Sequence, residues 1–413
     1  MFRLIRFAFS LFVVVVVAGC AAPKAGVDPR EMLRDAAFKP QSHRIPAPEE
    51  IFAVSPEMHA YVNDSEEFQT LVRHKGERGA LIDALYSRPL LKLEYESSVT
   101  RNAAEAFAAR SGNCLSLVIM TAAFAHELRL PVHFQTVFVD DEWTRSGDLY
   151  FVIGHVNLTL GKARRSADGT ALQIDADQLV IDFVRPEALR GARLMEVDES
   201  TIIAMYYNNR AAETLEAGDV EGAYWWARAA VLQQPRFLGS FNTLAVIYRR
   251  HGDSAGAETI LREVLRLEPS NVQALSNLVI AMQNQQRYAE AEQFQARLTA
   301  LQPYPPFKFF DLGIEAMKRG DYLKARDLFK REVDRSAYYH EFRFWLALAD
   351  YALGNVKEAG KQLSLAVENS PTRKTHDLYA AKLAWIERQE KPKEPPPLNM
   401  LPQPQMPQPV RNF

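Results

Sequence analysis

Two cysteines, Cys20 and Cys114, are all that 413 residues contain. That scarcity excludes a disulfide scaffold and leaves no cysteine-based zinc site. An excess of one charge is also missing: 49 Lys and Arg stand against 51 Asp and Glu, a formal net charge of -2. Without a basic surplus there is no electrostatic footprint for a nucleic-acid backbone, so no nucleic-acid partner is expected. Beyond one apolar stretch near the N-terminus there is no long hydrophobic run, which excludes a polytopic membrane protein. What remains is a globular composition, 47% hydrophobic and 24% charged, on a chain long enough for two or three domains.

The apolar stretch has the layout of a targeting segment. Arg3 and Arg6 precede the run Phe7 to Ala18, and Gly19-Cys20 follows. A basic start, a short apolar core and small residues before a cleavage point describe an export signal over residues 1–19. Val17-Ala18-Gly19-Cys20 resembles the lipobox of bacterial lipoproteins. That resemblance implies a mature chain that begins at an acylated Cys20 and is attached to the membrane by its lipid. Ala21, where Asp would retain the protein at the inner membrane, implies the outer membrane, facing the periplasm. Lipidation consumes Cys20 and leaves Cys114 as a single free thiol in an oxidising compartment.

Residues 20–50, with Pro23, Pro29, Pro40, Pro46 and Pro48, read as a tether between anchor and folded body. Helical patterning runs from Ile51 to about Arg110 with a break near Pro89, and a buried helix is expected over 113–129, ended by Pro131. The β-type runs Val132–Val139, Leu149–Leu160 and Leu179–Phe183 come next. Helices followed by antiparallel strands indicate an α+β domain spanning residues 51–195.

The second half is periodic. Ala223, Ala257, Ala291, Ala325 and Ala359 fall 34 residues apart, and Gly218, Gly252, Gln286, Gly320 and Gly354 each stand five positions earlier. Pro235, Pro269, Pro303 and Pro371 mark the ends of units, with Ala337 in the fourth slot. This is the tetratricopeptide signature, and it predicts five repeats over 204–375 in an all-α solenoid. A final helix over 376–388 caps the open apolar face. Residues 389–413 hold eight of the 23 prolines and read as a disordered tail. The Trp225-Trp226 pair fits repeat packing. Groove-facing positions on the first helices include Asn208, Asn242, Arg249, Ser276 and Gln283, a largely neutral polar set suited to a protein or peptide partner of the envelope.

Cys114 carries the chemical interest. Asn113 is a good N-cap, which places Cys114 in the first turn of a helix. There the helix dipole and free backbone N–H groups favour a thiolate and can donate to an oxyanion. Strand phase then selects among nine histidines. In Leu149–Leu160, Phe151, Ile153, His155, Asn157 and Thr159 share the face opposite Val152, Val156, Leu158 and Leu160. In Leu179–Phe183, Asp182 points away from the apolar face, and a carboxylate inside a β run needs a partner. Cys, His and Asp so placed supply nucleophile, base and orienter. His126 and His133 read as structural. The spacing of Gly154, Gly161 and Lys162 does not fit a P-loop. No metal or cofactor is expected.

Asn113-Cys114-Leu115, Gly154-His155-Val156-Asn157 and Val180-Ile181-Asp182-Phe183 resemble the transglutaminase-like superfamily. Leu93-Glu94-Tyr95, residues 100–107 and Tyr206-Tyr207-Asn208-Asn209-Arg210 resemble bacterial proteins that join such a domain to tetratricopeptide repeats. The resemblance implies a papain-like core with Cys114, His155 and Asp182 as catalytic residues. It also implies attack on an amide or peptide bond, with water or an amine as acceptor. A longer His-to-Asp gap, residues 161–178, reads as a hairpin insertion and leaves Asp175 and Asp177 as weaker candidates for the third role. The alternative is a non-catalytic interaction scaffold.

Overall fold

The computed structural model describes residues 28–87, 91, 93–96, 99–138, 143–146, 149–152, 155–161, 164–165, 172–173, 179–183, 193–370 and 372–388. The N-terminal stretch read as an export signal, Cys20, Asp175, Asp177 and the Pro-rich tail lie outside them.

The N-terminal region begins with α1 (Pro48–Ile51), α2 (Pro56–Asn63) and α3 (Glu66–Tyr86). Strand β1 (Glu94–Tyr95), helix α4 (Ala103–Ala109) and strand β2 (Ser111–Gly112) lead into α5 (Cys114–Glu127). Every residue of α5 from Cys114 to Ala125 is buried. A helix apolar on all sides has to be enclosed, and α5 forms the centre around which the other elements pack. The strands are β3 (Val132–Phe138), β4 (Trp143–Ser146), β5 (Leu149–Val152), β6 (His155–Leu160), β7 (Arg164–Arg165), β8 (Leu172–Gln173), β9 (Leu179–Ile181) and β10 (Arg193–Val197). Four of them form an antiparallel sheet in the order β10-β3-β6-β9.

The run read as one strand over Leu149–Leu160 is two. β5 takes its backbone partners from β4, whereas β6 pairs with β3 and β9. A second difference follows for His155. All six residues of β6 are buried, so its two faces do not divide core from solvent. His155, Asn157 and Thr159 are buried polar groups, and each needs a partner. Inside the longer His-to-Asp gap, β7 and β8 pair antiparallel.

Five helix pairs follow: α6 (Glu199–Glu216) with α7 (Val220–Gln233), α8 (Leu238–Arg250) with α9 (Ser254–Leu267), and α10 (Val272–Asn284) with α11 (Tyr288–Leu301). The last two are α12 (Lys308–Lys318) with α13 (Tyr322–Arg335), and α14 (His340–Ala352) with α15 (Val356–Glu368). Helix α16 (Arg373–Arg388) closes the stack. The 34-residue alanines are all buried where helices touch. At the turns, Gly218, Gly252, Gly320 and Gly354 have φ of 88°, 96°, 76° and 81°, and Gln286 has 60°. A left-handed residue ends the first helix of each pair, which is why glycine occupies four of the five slots.

The packing does not divide where the pattern does. One buried cluster runs from Phe38 through the α+β region to Leu298, and a second runs from Phe307 to Ile386. The first three repeats therefore share a core with α5 and its sheet. The separation falls at Gln302–Phe307, where Pro303, Pro305 and Pro306 interrupt the stack.

The segment read as a tether is docked over residues 28–47. Phe38 stacks on Tyr224 with ring centroids 3.8 Å apart and planes 2° from parallel, and it also touches Tyr248 and His251. Asp35 accepts from the Tyr224 hydroxyl at 2.6 Å and pairs with Arg228 at 2.9 Å. Trp225 donates to the Lys39 carbonyl, Tyr248 to that of Met32, and Tyr207 to that of Pro46. Proline removes helix and sheet options from this stretch, but it leaves backbone carbonyls free to accept from the repeats.

Candidate active site

Cys114 is the first residue of α5, and the turn before it is fixed by an unusually complete cap. Asn113 Oδ1 accepts from the Ser116 N–H at 2.9 Å and from its hydroxyl at 2.8 Å. Asn113 Nδ2 donates to Thr100 Oγ1 at 2.7 Å, and Ser116 Oγ accepts from the Arg101 N–H at 2.8 Å. Gly112 is required on steric grounds, because a Cβ there would lie 2.6 Å from that of Ser116. The thiol thus sits at a rigid helix N-terminus, beside N–H groups that the helix itself leaves unsatisfied.

The first repeat holds the same turn from behind. Glu213, on α6, accepts from the Thr100 N–H at 2.7 Å, and Arg210 joins it at 3.0 Å. Burial pushes the Glu213 carboxyl up, against the opposing pull of Thr100 and Arg210. Val99, Arg101 and Asn102 also line a cavity of about 390 Å³ together with Tyr206, Arg210 and Trp226. The loop that braces Cys114 is therefore shared with the solenoid.

His155 opens β6, and Asp182 follows the last residue of β9. The pairing Leu158↔Ile181 in antiparallel register sets Asp182 across from Asn157 and diagonal to His155. His155 Nε2 lies 2.7 Å from Asp182 Oδ1, and Asn157 Nδ2 lies 3.0 Å from Oδ2. The Cys114 side chain also acts on the imidazole. The structure thus brings Cys114, His155 and Asp182 into one chain of contacts from three separate elements. Burial alone would pull the imidazole down. The hydrogen bond to Asp182 and its negative charge, together with the influence of Cys114, outweigh it and push the group up to about 10. An imidazolium at neutral pH is the natural counterion for a thiolate.

This shift links stability to pH. His155 has a folded pKa of about 10 against an ordinary value of 6.5. Its stabilising contribution is therefore complete below pH 6.5 and is lost as pH rises toward 10. Thermal melts from about pH 8.5, above which an unfolded cysteine no longer holds its proton, to about pH 10 should show the wild type losing stability. His155→Ala should show a shallower fall. Equal slopes would mean that the folded imidazole is not held protonated.

The remaining sequence-derived positions have other surroundings. His126 lies 3.7 Å from Glu199 and His133 lies 3.6 Å from Glu196, both away from Cys114. Of the groove positions, Gln283 is exposed, while Asn208, Arg249 and Ser276 are half-buried. Asn242 is buried, and its amide reaches Asn271 and Gln273 at 3.5 and 3.4 Å. Trp226 packs against Tyr206 and Tyr207, and Trp225 receives the N-terminal segment. Among the described residues no group of three or more His, Cys, Asp or Glu side chains is arranged to hold a metal, and no helix is long and apolar enough to cross a membrane.

Two residues of the site carried no separate signal in the sequence. Tyr86, at the end of α3, donates to the Asp182 carbonyl at 2.8 Å and accepts from its N–H at 3.1 Å. Asn157 was visible only as the last member of the Gly154-His155-Val156-Asn157 run, with no role of its own.

Residues 248–306 and 310–374 match family models described as tetratricopeptide repeat. No curated protein matches the chain. Among solved structures, MamA is 19% identical over 38% of this chain and 93% of its own, with a TM-score of 0.22. Pseudomonas aeruginosa PilF is 20% identical over 45% of this chain and 84% of its own, at 0.27. A thermophilic repeat protein of Thermus thermophilus, TTC0263, is 17% identical over 44% and 99%, at 0.28. The C-terminal part of the chain is an all-α tetratricopeptide-repeat solenoid, a type of module that binds protein or peptide partners.

Proposed function

We propose that the N-terminal region is a cysteine-dependent acyl-transfer domain of transglutaminase-like type, acting on an amide or peptide bond, and that the repeats recruit its protein partner. The observation that carries this reading is the His155 ring bonded to the Asp182 carboxylate, with the Cys114 thiol at a helix N-terminus acting on the same ring. Cys114 attacks the carbonyl carbon, and its backbone N–H takes part in holding the oxyanion. His155 delivers its proton to the leaving amine, and Asp182 keeps the ring oriented. Water then releases the acyl group in a hydrolase, or a second amine does so in a cross-linker.

A second reading, a non-catalytic scaffold, is favoured by the burial of the site, with Cys114 8% and His155 3% exposed, and by repeats that extend over the whole C-terminal half. An electrophilic amide probe separates the two. On the catalytic reading the wild-type chain is labelled at Cys114 and Cys114→Ala is not. A wild type that labels no faster than a denatured control leaves the scaffold.

The proposal includes a lipid anchor at Cys20, with the protein at the outer membrane facing the periplasm. Seven residues, and so eight Cα-to-Cα steps, separate Cys20 from Asp28, where the docked segment begins. Fully extended, they reach roughly 28 Å, which would hold the first two repeats close to the bilayer. Mass spectrometry of the mature N-terminus should find an acylated Cys20. An unmodified soluble chain would remove the anchor and the location together.

A further inference from the structure

We propose that Asn157 is a positioning residue that fixes the Asp182 carboxylate and, through it, the His155 ring; the proposal rests on the chemistry read above at Cys114. Strand register supplies the first argument. Continuing Leu158↔Ile181 by one step puts Asn157 directly opposite Asp182, with His155 on the diagonal. Cross-strand neighbours in antiparallel sheets lie closer than diagonal ones. A carboxylate at position 182 therefore meets position 157 before it meets position 155, and an unoccupied neighbour would let it rotate away from the ring. With Asn157 in place, one oxygen receives the amide N–H at 3.0 Å and the other is left for His155 Nε2 at 2.7 Å.

The second argument is the orientation of the amide. Asn157 is 1% exposed, and its Oδ1 is buried with no hydrogen-bond partner among the described residues. A buried unpaired carbonyl is costly. The opposite amide orientation would turn Oδ1 toward the carboxylate and replace an attraction by a repulsion. The orphaned oxygen is thus the consequence of directing the NH₂ group at an ionised Asp182. Charge-assisted hydrogen bonds are about twice as strong as neutral ones, so the carboxylate decides the orientation.

Backbone restraint is the third argument. The β6–β9 ladder ends at Ile181, and Tyr86 takes over one residue later by bonding both the N–H and the C=O of Asp182. Tyr86 fixes the main chain and Asn157 fixes the side chain. Together they leave the carboxylate one direction, toward His155.

The test uses the full chain, uniformly labelled with ¹³C and ¹⁵N, and follows the ring titration of His155, assigned by its loss in His155→Ala. Asn157→Leu keeps the volume and removes the donor. Its His155 ring should bind its proton at least tenfold more weakly than in the wild type. In an Asp182→Ala background the same substitution should change the ring titration less than twofold, because the carboxylate through which Asn157 acts is gone. Equal titrations in wild type and Asn157→Leu, or an equal shift with and without Asp182, would overturn the proposal. If Asn157→Leu does not fold by circular dichroism, Asn157→Ala, which also lacks a donor, provides the same comparison. Alkylation of Cys114, resolved by peptide mass, keeps the two readings apart. A ring shift in Asn157→Leu with His155-independent alkylation supports the positioning role and rejects the acyl-transfer reading. His155-dependent alkylation with no ring shift rejects the positioning role alone.

Discussion

Alkylation of Cys114 at pH 7 is expected to slow roughly ten- to thirtyfold when His155 is replaced by alanine. An ordinary cysteine, with a pKa of about 8.5, is only about 3% thiolate at that pH. On the acyl-transfer proposal an imidazolium beside the sulfur favours the thiolate, so losing that partner removes most of the reactive species. The lower end of the range allows for the weaker intrinsic nucleophilicity of a stabilised thiolate. On the acyl-transfer proposal, turnover of an amide substrate should fall further, by about 10²- to 10⁴-fold, because His155 would then also be the proton donor. Cys114→Ala should abolish both. Asp182→Ala should fall between wild type and His155→Ala, since the ring is still present but no longer held. The repeats built on the separate cluster from Phe307 to Ile386 should persist in all three variants, because none of the three side chains belongs to it.

Phe38→Ala should produce the largest stability change outside the site, about 3 kcal/mol, at the low end of buried Phe-to-Ala losses. Phe38 is 7% exposed and fills the space between Tyr224, Tyr248 and His251. By comparison Arg34, which pairs with Asp253 from a side chain 52% exposed, should contribute under about 1 kcal/mol. Packing, rather than the ion pairs that surround it, holds the segment down. Hydrogen exchange should show the loss as local opening of residues 28–47, with the backbone of α7 and α8 less affected. A change confined to global melting, with the segment still protected, would mean that its other contacts suffice.

The repeats were legible because their signal is periodic and each period solves the same steric problem. A small residue is needed where helices cross at Ala223, Ala257, Ala291, Ala325 and Ala359, and a left-handed residue is needed at each turn. Gln286 shows that the turn geometry outlasts the glycine that usually marks it. Cys114 was legible from its cap, Asn113, and His155 and Asp182 from polar residues placed in β runs. The partners of Asp182 were not. Tyr86 is 96 residues away in sequence and lies at the end of a helix with no unusual composition. Asn157 differs from other polar strand residues only through a register that depends on β9. The burial of both faces of β6 was also hidden, because alternation in one strand cannot report what covers it. The N-terminal segment misled for a related reason. Proline content describes a chain that does not form helix or sheet, and it says nothing about whether one phenylalanine finds a stacking partner 186 residues later.

The rate of Cys114 alkylation as a function of pH, measured on the full chain and resolved by peptide mass, tests the thiolate–imidazolium pair most directly. The rate should be nearly flat from about pH 6 to about pH 9 in the wild type. In His155→Ala it should climb about tenfold per pH unit until it levels off near the ordinary thiol value of about 8.5. A wild-type profile that climbs in the same way, and does not change when His155 is removed, would contradict the account and leave Cys114 as a packed side chain beneath a repeat scaffold.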